Sequence, residues 1–331
     1  MNKKKVVVIG GGTGTHTVLR GLKHYQEQID ISAIVTMADS GGSTGRLRDE
    51  FGYLPVGDVR MALTALASDV DEHEELMREL FLYRFDKGDG LSGHSFGNLL
   101  LVALTDILGS EEKAIRAAGK ILRVEGKVEP VTNDKVSLVA KYEDGVEVVG
   151  EHCIDEPEES RRNSRIFSLS LSPKASITES ARQTILEADL IILGPGDLYT
   201  SVLANCVVEG VSEVFKKTRA KIVYVCNLMT KLGQTDGMKA SDHVGEITKY
   251  IGRNVDYLFF NNQKLPEDLL SRYAKDGEFK VELGDVNQSC EIIKMDLLAT
   301  EAVHNAKGDT LKRSLIRHDS DKLAKKLVEI L

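Results

Sequence analysis

Residues 6–15 read Val6-Val7-Val8-Ile9-Gly10-Gly11-Gly12-Thr13-Gly14-Thr15, and this stretch decides the fold class. Its first four residues are the continuous β-branched run expected of a strand that is covered on both faces of a parallel sheet. Val18, Leu19 and Leu22 then recur at helical spacing, and a second β-type run follows at residues 31–37. Strand, glycine turn, helix and strand predict a βαβ unit, which places glycine amides and a helix N-terminus at the carboxyl edge of the sheet, where anions bind.

A dinucleotide-binding fingerprint is the main alternative interpretation of this first turn. The pattern fits from Gly10 to Gly12, but Thr15 stands where the third glycine or alanine belongs. Asp39, which could serve as the ribose-binding acid, opens a second glycine loop instead. The segment Gly88–Ser95 is similar to a Walker A loop but has His94 in place of the lysine, and no strand precedes it, so we reject an ATPase site there.

The second glycine-rich loop is Asp39-Ser40-Gly41-Gly42-Ser43-Thr44-Gly45-Arg46-Leu47-Arg48. Glycine reaches positive φ without steric strain, so such a loop can turn its backbone N–H groups toward an anion. Arg46 and Arg48 add guanidinium groups that match phosphate oxygens, and Asp39 could meet a metal ion, a ribose or a polar ring. A surface loop with solvated arginines remains the alternative.

Two helix entrances carry further polar side chains. Asp58 is placed to cap an apolar helix, and Arg60 in the first turn of that helix is unfavourable for the helix dipole, which indicates another role for it. His94 and Asn98 precede a largely apolar helix and could face the same cleft. Local hydrogen bonding of His94, and capping by Ser95 or Asn98, are the structural alternatives.

A small β-rich excursion is predicted at about 125–175, within a single α/β domain that covers residues 1–331. Its predicted strands are Val136–Tyr142, Val146–Val149 and Ile166–Leu171, the first two forming a hairpin around Glu143-Asp144-Gly145. The acidic stretch Asp155–Glu159 is interpreted as a solvated loop.

Later strands deliver polar and glycine residues at their carboxyl ends. These strands are predicted at Leu190–Leu193, Lys221–Leu228 and Val255–Asn262, and the first runs into a third glycine turn, Gly194–Ser201. The carboxyl ends of parallel strands lie along one edge, so these loops can converge on one crevice. We therefore expect a three-layer α/β fold with a Rossmann-like parallel sheet and a ligand site at that edge.

The composition limits the function classes. A net charge of −8 argues against a general nucleic-acid binder. The four cysteines lack paired spacing and suit reduced, mostly buried residues of a cytoplasmic protein. The apolar run at the start of the sequence is too short for a signal peptide or a membrane span, so we expect no membrane insertion.

The motifs, taken in order, resemble those of the CofD-like/YvcK family over nearly the whole chain. They are GGGTG, DSGGSTGRLR, GDVR, HSFGN, GPGDLYTS, NLMT and, near the end, LIRHD at Leu315–Asp319. The DSGGSTGRLR loop and the GPGDLYTS turn are similar to the YvcK branch rather than to the CofD branch, which typically shows GPSNP at the turn.

The resemblance implies a regulatory protein that binds a UDP-sugar and is needed for growth on gluconeogenic carbon and for normal cell shape. No enzymatic activity is established for this branch. The alternative is the CofD branch activity, transfer of a phospho-lactyl group from a nucleotide-linked donor, in which Asp39 and Asp58 would act as catalytic or magnesium-binding acids. No other cofactor is expected, and we predict a homo-oligomer, specifically a dimer.

The resemblance also assigns the ligand-binding residues. The implied set is Gly12, Thr13, Gly14, Asp39, Ser40, Arg46, Gly196, Tyr199, Thr200, Ser201, Asn227, Thr230, Tyr273 and Arg317. This chain departs from the family pattern at Asp197, where a serine is usual. Asp197 is either an exchanged helix cap or a carboxylate that opposes a diphosphate unless a cation or arginine intervenes.

Overall fold

The computed structural model describes residues 3–161, 164–300 and 315–331, in which ten strands form two sheets. The strands are β1 (Lys4–Gly10), β2 (Ile29–Val35), β3 (Lys127–Pro130), β4 (Ser137–Tyr142), β5 (Glu147–Val149), β6 (Ile166–Ser172), β7 (Leu190–Leu193), β8 (Lys221–Val225), β9 (Tyr257–Asn261) and β10 (Glu291–Met295). Seven of them form a sheet in the order β10-β9-β8-β7-β1-β2-β3, and every neighbouring pair in it is parallel. This order confirms the predicted Rossmann-like α/β class.

Helices cover both faces of the large sheet. They are α1 (Gly12–Lys23), α2 (Gly42–Phe51), α3 (Gly57–Leu66), α4 (Glu72–Leu82), α5 (Phe96–Leu108), α6 (Glu111–Ile121), α7 (Glu151–Asp155), α8 (Glu179–Glu187), α9 (Ala204–Cys206), α10 (Val211–Lys217), α11 (Ala240–Ile251), α12 (Glu267–Lys275) and α13 (Ser320–Glu329). A 3₁₀ turn at Glu159–Arg161 and a π-helix at Leu198–Leu203 complete the described elements.

Strand β1 shows why the apolar runs are continuous. Val6 and Val8 pack into the core beneath α1, α3 and α13, whereas Val7 and Ile9 pack into the core on the opposite face, and all four are at most 1% exposed. Each such side chain contributes about 1.5–3 kcal/mol by leaving water. A strand that is buried on both faces therefore cannot carry the alternating polar residues of a half-exposed strand.

The excursion begins later in the chain than its predicted start at about residue 125. Strand β3 belongs to the large sheet, so the excursion begins only after Pro130, and it contains a three-stranded antiparallel sheet in the order β5-β4-β6. Leu138, Ala140 and Tyr142 of β4 join the core on one face of the large sheet. The excursion thus packs against the main body, and its helix α7 reaches the carboxyl edge of the large sheet.

The path of the chain creates a crevice at that edge. From β1 the chain moves outward through β2 to β3, and it returns through the excursion to β7 on the other side of β1. The loops that leave β1 and β7 therefore diverge from adjacent strands, which is the switch point where open α/β sheets bind ligands.

Candidate functional site

A cavity of about 330 Å³ lies at this switch point, between the turns that follow β1 and β7. Most of the residues predicted for the site line it, among them Asp58, an acid of the transferase alternative. The predicted residues in its wall are Gly12, Thr13, Gly14, Asp39, Asp58, Gly196, Thr200, Ser201, Asn227, Thr230, Tyr273 and Arg317. The tertiary structure therefore brings together residues that are up to about three hundred positions apart in sequence.

The two glycine turns are packed against each other. A Cβ atom at Gly14 would lie 2.0 Å from the carbonyl oxygen of Pro195, so no larger residue fits there without movement. Gly12 and Gly196 have φ of 60° and 153°, conformations that favour glycine. Beneath the turns, the amide of Asn205 donates to the carbonyl of Gly10 at 3.3 Å and to that of Ser201 at 2.8 Å, which ties the two loops together.

Three carboxyl groups crowd the side of the cavity next to α3. Burial, and then the neighbouring charge of Asp39, raise the pKa of Asp58 to about 7 and that of Glu151 to about 9. Burial also raises the pKa of Asp39, against a 2.9 Å hydrogen bond from the Gly41 N–H. These groups cannot all ionise without a compensating positive charge.

The interpretation of Asp58 as a helix cap is wrong. Helix α3 begins at Gly57 with Val56 in the cap position, and Asp58 lies inside the first turn. Its carboxylate Oδ1 instead accepts a 2.7 Å hydrogen bond from the N–H of Gly12, so Asp58 connects α3 to the first glycine turn.

Asp39 and Asp58 have the chemistry to share a magnesium ion with a phosphate ligand. Within residues 3–161, 164–300 and 315–331, no group of three or more His, Cys, Asp or Glu side chains is arranged to hold a metal ion. Magnesium in nucleotide sites commonly takes only one or two carboxylates, with phosphate oxygens and water completing its shell. The paired acids fit such a shared site rather than a site formed by protein ligands alone.

Arg60 supplies buried positive charge to the cavity. Its side chain is 6% exposed and its Nε–H donates to Oδ1 of Asn98 at 2.9 Å. The Asn98 amide donates in turn to Oγ of Ser43 at 3.2 Å, and that Oγ lies 3.0 Å from Nδ1 of His94. Ser95 caps α5, which leaves the Asn98 side chain available for this network.

The cavity wall also holds Asp155, Asp197 and Lys231. The Asp197 side chain makes no capping hydrogen bond, so the exchanged-cap interpretation is wrong. Burial raises the pKa of Asp197 to about 7; the charge of Lys231 opposes this rise and that of Asp155 contributes to it. Lys231 Nζ lies 3.3 Å from Oδ1 of Asp155, and its charge partly offsets that of Asp197.

Three predicted residues lie outside the cavity wall. Ser40 Oγ accepts a hydrogen bond from the His152 N–H at 2.9 Å, which joins its loop to α7. Arg46 extends along α2 and donates to the carbonyl of Ser92 at 3.1 Å. Tyr199 is 2% exposed and packs in the core below the glycine turn that follows β7. The π-helix directs its neighbours Thr200 and Ser201 into the cavity instead.

Tyr273 has a positioning role that the motif did not show. Its hydroxyl oxygen accepts hydrogen bonds from the N–H groups of Leu315 at 2.8 Å and Ile316 at 3.2 Å. These two hydrogen bonds hold the segment directly before Arg317, which lines the cavity wall.

Sequence reasoning missed the acids of α7. Glu151 and Asp155 both line the cavity, although the stretch beginning at Asp155 reads as a solvated acidic loop. Lys231 was also missed, despite its position directly after the NLMT motif. The weak signal was the acidic stretch itself, but nothing in its spacing indicated which charges return to the main body.

Replacing Asp58 with asparagine tests the electrostatics of the acid group. Because the folded pKa of about 7 exceeds the usual value of 3.8, the native state binds more protons than the unfolded state between these values, and wild-type stability falls as pH rises toward 7. Asp58→Asn keeps an acceptor for Gly12 but cannot ionise. We expect the free energy of unfolding of the variant, relative to that of the wild type, to increase by about 1–2 kcal/mol from pH 5 to pH 8. Urea unfolding in EDTA at each pH measures this difference.

The control for this measurement is Asp285→Asn, at an exposed position outside the cavity. It should show no such pH-dependent gain. A difference between Asp58→Asn and the wild type that stays constant from pH 5 to pH 8 would contradict the raised pKa.

The fold and cavity define an α/β protein whose ligand crevice is built from facing glycine turns at a Rossmann-type switch point. The chain belongs to the CofD family: the model for 2-phospho-L-lactate transferase CofD matches residues 6–300. Among the described residues, no helix combines the length and apolar character needed to cross a bilayer.

Curated relatives and a solved structure cover nearly the same length. The chain is 42% identical to the gluconeogenesis factor of Bacillus subtilis, over 99% of this chain and 98% of that protein. It is 38% identical to the gluconeogenesis factor of Listeria innocua, over 99% and 96%. A crystal structure of a UPF0052 family protein from Bacillus halodurans superposes with a TM-score of 0.87 at 37% identity, covering 99% of both chains.

Proposed function

We propose that this protein binds a nucleotide diphosphate sugar, specifically a UDP-sugar, and regulates gluconeogenic growth and cell-envelope morphogenesis. The observation that carries the proposal is the pair of glycine turns facing each other across the switch point, with Gly14 against Pro195. Turn amides and the hydroxyls of Thr200 and Ser201 would hold the diphosphate, because N–H and O–H donors suit phosphate oxygens. The gluconeogenesis factors of Bacillus subtilis and Listeria innocua, to which the chain is similar, support the gluconeogenic part of this proposal.

The remaining parts of the proposal concern the nucleoside and the assembly. Asn227 and Thr230 would contact the sugar or base, and Tyr273 would hold Arg317 over the nucleotide. We place the protein in the cytoplasm as a dimer. Four free cysteines, three of them buried, suit a reducing compartment, and light scattering during size-exclusion chromatography would test the dimer.

A second candidate function is transfer of a phosphorus-containing group from a nucleotide-linked donor. The crowding of Asp39, Asp58 and Glu151, together with the family match, favours it. Asp39 and Asp58 would hold magnesium, and the bound ion would stabilise negative charge on the departing phosphate. The chain itself would bind the donor diphosphate at the glycine turns and orient it with the Arg60 side chain.

Calorimetric titration with UDP-N-acetylglucosamine, UDP-glucose, GDP and NAD, each with and without magnesium, separates these functions. Phosphorus nuclear magnetic resonance then shows whether the bound ligand stays intact. An unchanged, bound UDP-sugar supports the regulatory proposal. Preference for GDP, or turnover of the ligand with an acceptor, supports the transferase, and failure of every ligand to bind contradicts both.

The Thr200→Val variant tests whether the glycine turn that follows β7 contacts the ligand. Thr200 is 3% exposed and lines the cavity, and valine keeps its shape while removing the hydroxyl. We expect UDP-sugar affinity to fall about tenfold through loss of one hydrogen bond to a charged oxygen. Thr105→Val is the matched control, since Thr105 is buried in α5, outside the cavity wall, and its hydroxyl donates to the Leu101 carbonyl in the preceding turn. Equal affinities of the two variants would place the diphosphate elsewhere.

A further inference from the structure

The segment Glu151–Pro157, which we call the strap, is anchored at one end to the loop that follows β2. The strap begins with α7, and the N–H of His152 donates to Oγ of Ser40 at 2.9 Å. The N–H of Ser40 donates in return to Oε2 of Glu151 at 3.4 Å. These two hydrogen bonds attach the start of the strap to the second glycine-rich loop.

The other end of the strap is anchored to the loop that follows β8. Oδ1 of Asp155 lies 3.3 Å from Nζ of Lys231 and accepts a 3.1 Å hydrogen bond from Nε2 of Gln234. Pro157 packs against Gly233 in the same loop, where a Cβ atom on the glycine would lie only 2.5 Å from Cγ of the proline. An ion pair, an amide hydrogen bond and a close proline contact therefore hold this end.

The two anchors lie on opposite sides of the cavity. In the large sheet, β2 and β8 are separated by β1 and β7, the strands whose glycine turns face each other across the cavity. Three strand spacings make about 14 Å, which the five residues of α7 and two further residues match at about 1.5 and 3.3 Å each. Four residues of the strap line the cavity wall, namely Glu151, His152, Asp155 and Glu156. The strap therefore crosses the cavity from one flank to the other.

The strap has a glycine before it and one buried apolar side chain within it. Gly150, between β5 and α7, has a φ of 104°, a conformation that favours glycine. Ile154 is fully buried in the core, and it holds the strap closed. Most of the other attachments are hydrogen bonds and an ion pair, which exchange with water at a modest net cost. Gly150 can therefore serve as a pivot when these polar contacts are released.

The cavity is small for the proposed ligand. Its volume of about 330 Å³ is near the lower end of ligand pockets, which run from about 300 to 1,000 Å³. A UDP-sugar contains a base, two sugar rings and a diphosphate, so it needs more room than a compact ligand does. Outward displacement of the strap would enlarge the cavity without separating any strands of the large sheet, since the strap belongs to the excursion.

We propose that the strap is a gate, which opens at its polar anchors to admit a UDP-sugar and closes over the bound ligand. The inference rests on the proposed UDP-sugar binding and adds the route by which the ligand enters. A gate of this kind controls rates rather than affinity, because the same anchors form in the closed protein with and without ligand. A weaker anchor should therefore raise the rate constants of association and dissociation together.

The test uses Gln234→Met and Ser40→Ala, which weaken opposite ends of the strap and change no residue of the cavity wall. Stopped-flow mixing with UDP-glucose, followed by tyrosine fluorescence in this tryptophan-free chain, gives both rate constants. We expect each variant to raise both about fivefold through loss of one hydrogen bond, while Kd changes by less than about twofold. Gln183→Met is the matched control, because it removes an exposed amide that donates to Glu187 on α8, and it should leave both rates unchanged.

Hydrogen exchange measured by mass spectrometry follows the strap without a ligand. The N–H groups of Ile154 and Glu156 donate within this part of the chain, to the carbonyls of Gly150 and His152. Both should exchange about fivefold faster in Gln234→Met than in the wild type.

The two measurements separate the gate from the binding function. Wild-type association and dissociation rates in both strap variants would overturn the gate while UDP-sugar binding stands, and so would unchanged exchange in Gln234→Met. If UDP-glucose does not bind the wild type, the proposed function fails and the gate for that ligand fails with it, even where faster exchange shows that the strap opens.

Discussion

Replacing Gly14 with alanine is expected to reduce UDP-sugar affinity by about a hundredfold, because it forces the two glycine turns apart. The new Cβ would lie 2.0 Å from the Pro195 carbonyl oxygen and 2.5 Å from its carbon, both of which are backbone atoms. Relief of that contact requires movement of more than about 1 Å, and a displacement of this size at a binding site commonly has an effect near 10²-fold. We also expect the free energy of unfolding to fall by about 1–3 kcal/mol from overpacking.

The same substitution at Gly245 is the matched control. Gly245 is exposed on α11 and its Cβ would meet no atom within 4 Å. Alanine there should leave binding unchanged and stabilise the helix by about 0.5–1 kcal/mol. A folded Gly14→Ala protein that binds UDP-sugar at wild-type affinity would show that the ligand does not depend on the contact between the turns. Calorimetry and thermal unfolding on the same samples separate lost binding from lost folding.

Replacing Arg60 with methionine is expected to have the second largest effect. The substitution keeps an unbranched apolar stem but removes the charge and the Nε–H that binds Asn98 at 2.9 Å. Loss of a hydrogen bond from a charged donor should lower the free energy of unfolding by about 1.5–3 kcal/mol. Because Arg60 also lines the cavity, we expect UDP-sugar affinity to fall about 10- to 100-fold, measured by calorimetry at fixed ionic strength.

Two other variants serve as controls for the effect of Arg60→Met. Arg60→Lys keeps the charge but not the forked geometry, so an intermediate affinity would indicate that both contribute. Arg116→Met removes an exposed arginine that pairs with Glu112 one turn away, at 3.2 Å, and it should change stability by no more than about 0.5 kcal/mol. Wild-type affinity in Arg60→Met would exclude Arg60 as a phosphate contact.

The arrangement of charge in the cavity bears on the proposed binding of an anionic ligand by an acidic protein. Burial raises the pKa of both Asp39 and Asp58, and the charge of Asp39 adds to the rise at Asp58, while the nearby Arg60 opposes it at both acids. A cation carried in with the diphosphate would relieve this repulsion. The titrations with and without magnesium therefore report on the acid group as well as on the choice between regulator and transferase.

Local sequence was sufficient to predict the fold class and the glycine turns that follow β1 and β7. Buried parallel strands need continuous apolar runs, and the turns after them need glycine where φ is positive, so both leave a direct pattern in the sequence. The positions of Gly12, Gly14 and Gly196 in the cavity wall follow from that pattern, because the carboxyl ends of parallel strands share one edge.

Tertiary structure decided which polar side chains face the cavity. Tyr199 and Thr200 are neighbours in one motif, yet the π-helix buries the first in the core and turns the second toward the cavity. Asp58 fits a helix cap by local rules, but its partner is the Gly12 N–H, 46 positions away. Side-chain direction and long-range partners depend on packing between elements, which local spacing does not encode.

The excursion illustrates the same division. The sequence by itself determined that a β-hairpin interrupts the α/β pattern, because alternating residues around Glu143-Asp144-Gly145 specify it locally. Only the tertiary structure decided that α7 returns Glu151 and Asp155 to the cavity, since the packing of β4 against the large sheet sets where that helix lies. The physical reason is that hydrogen-bonded turns are local, whereas the meeting of charges across a crevice depends on the whole path of the chain.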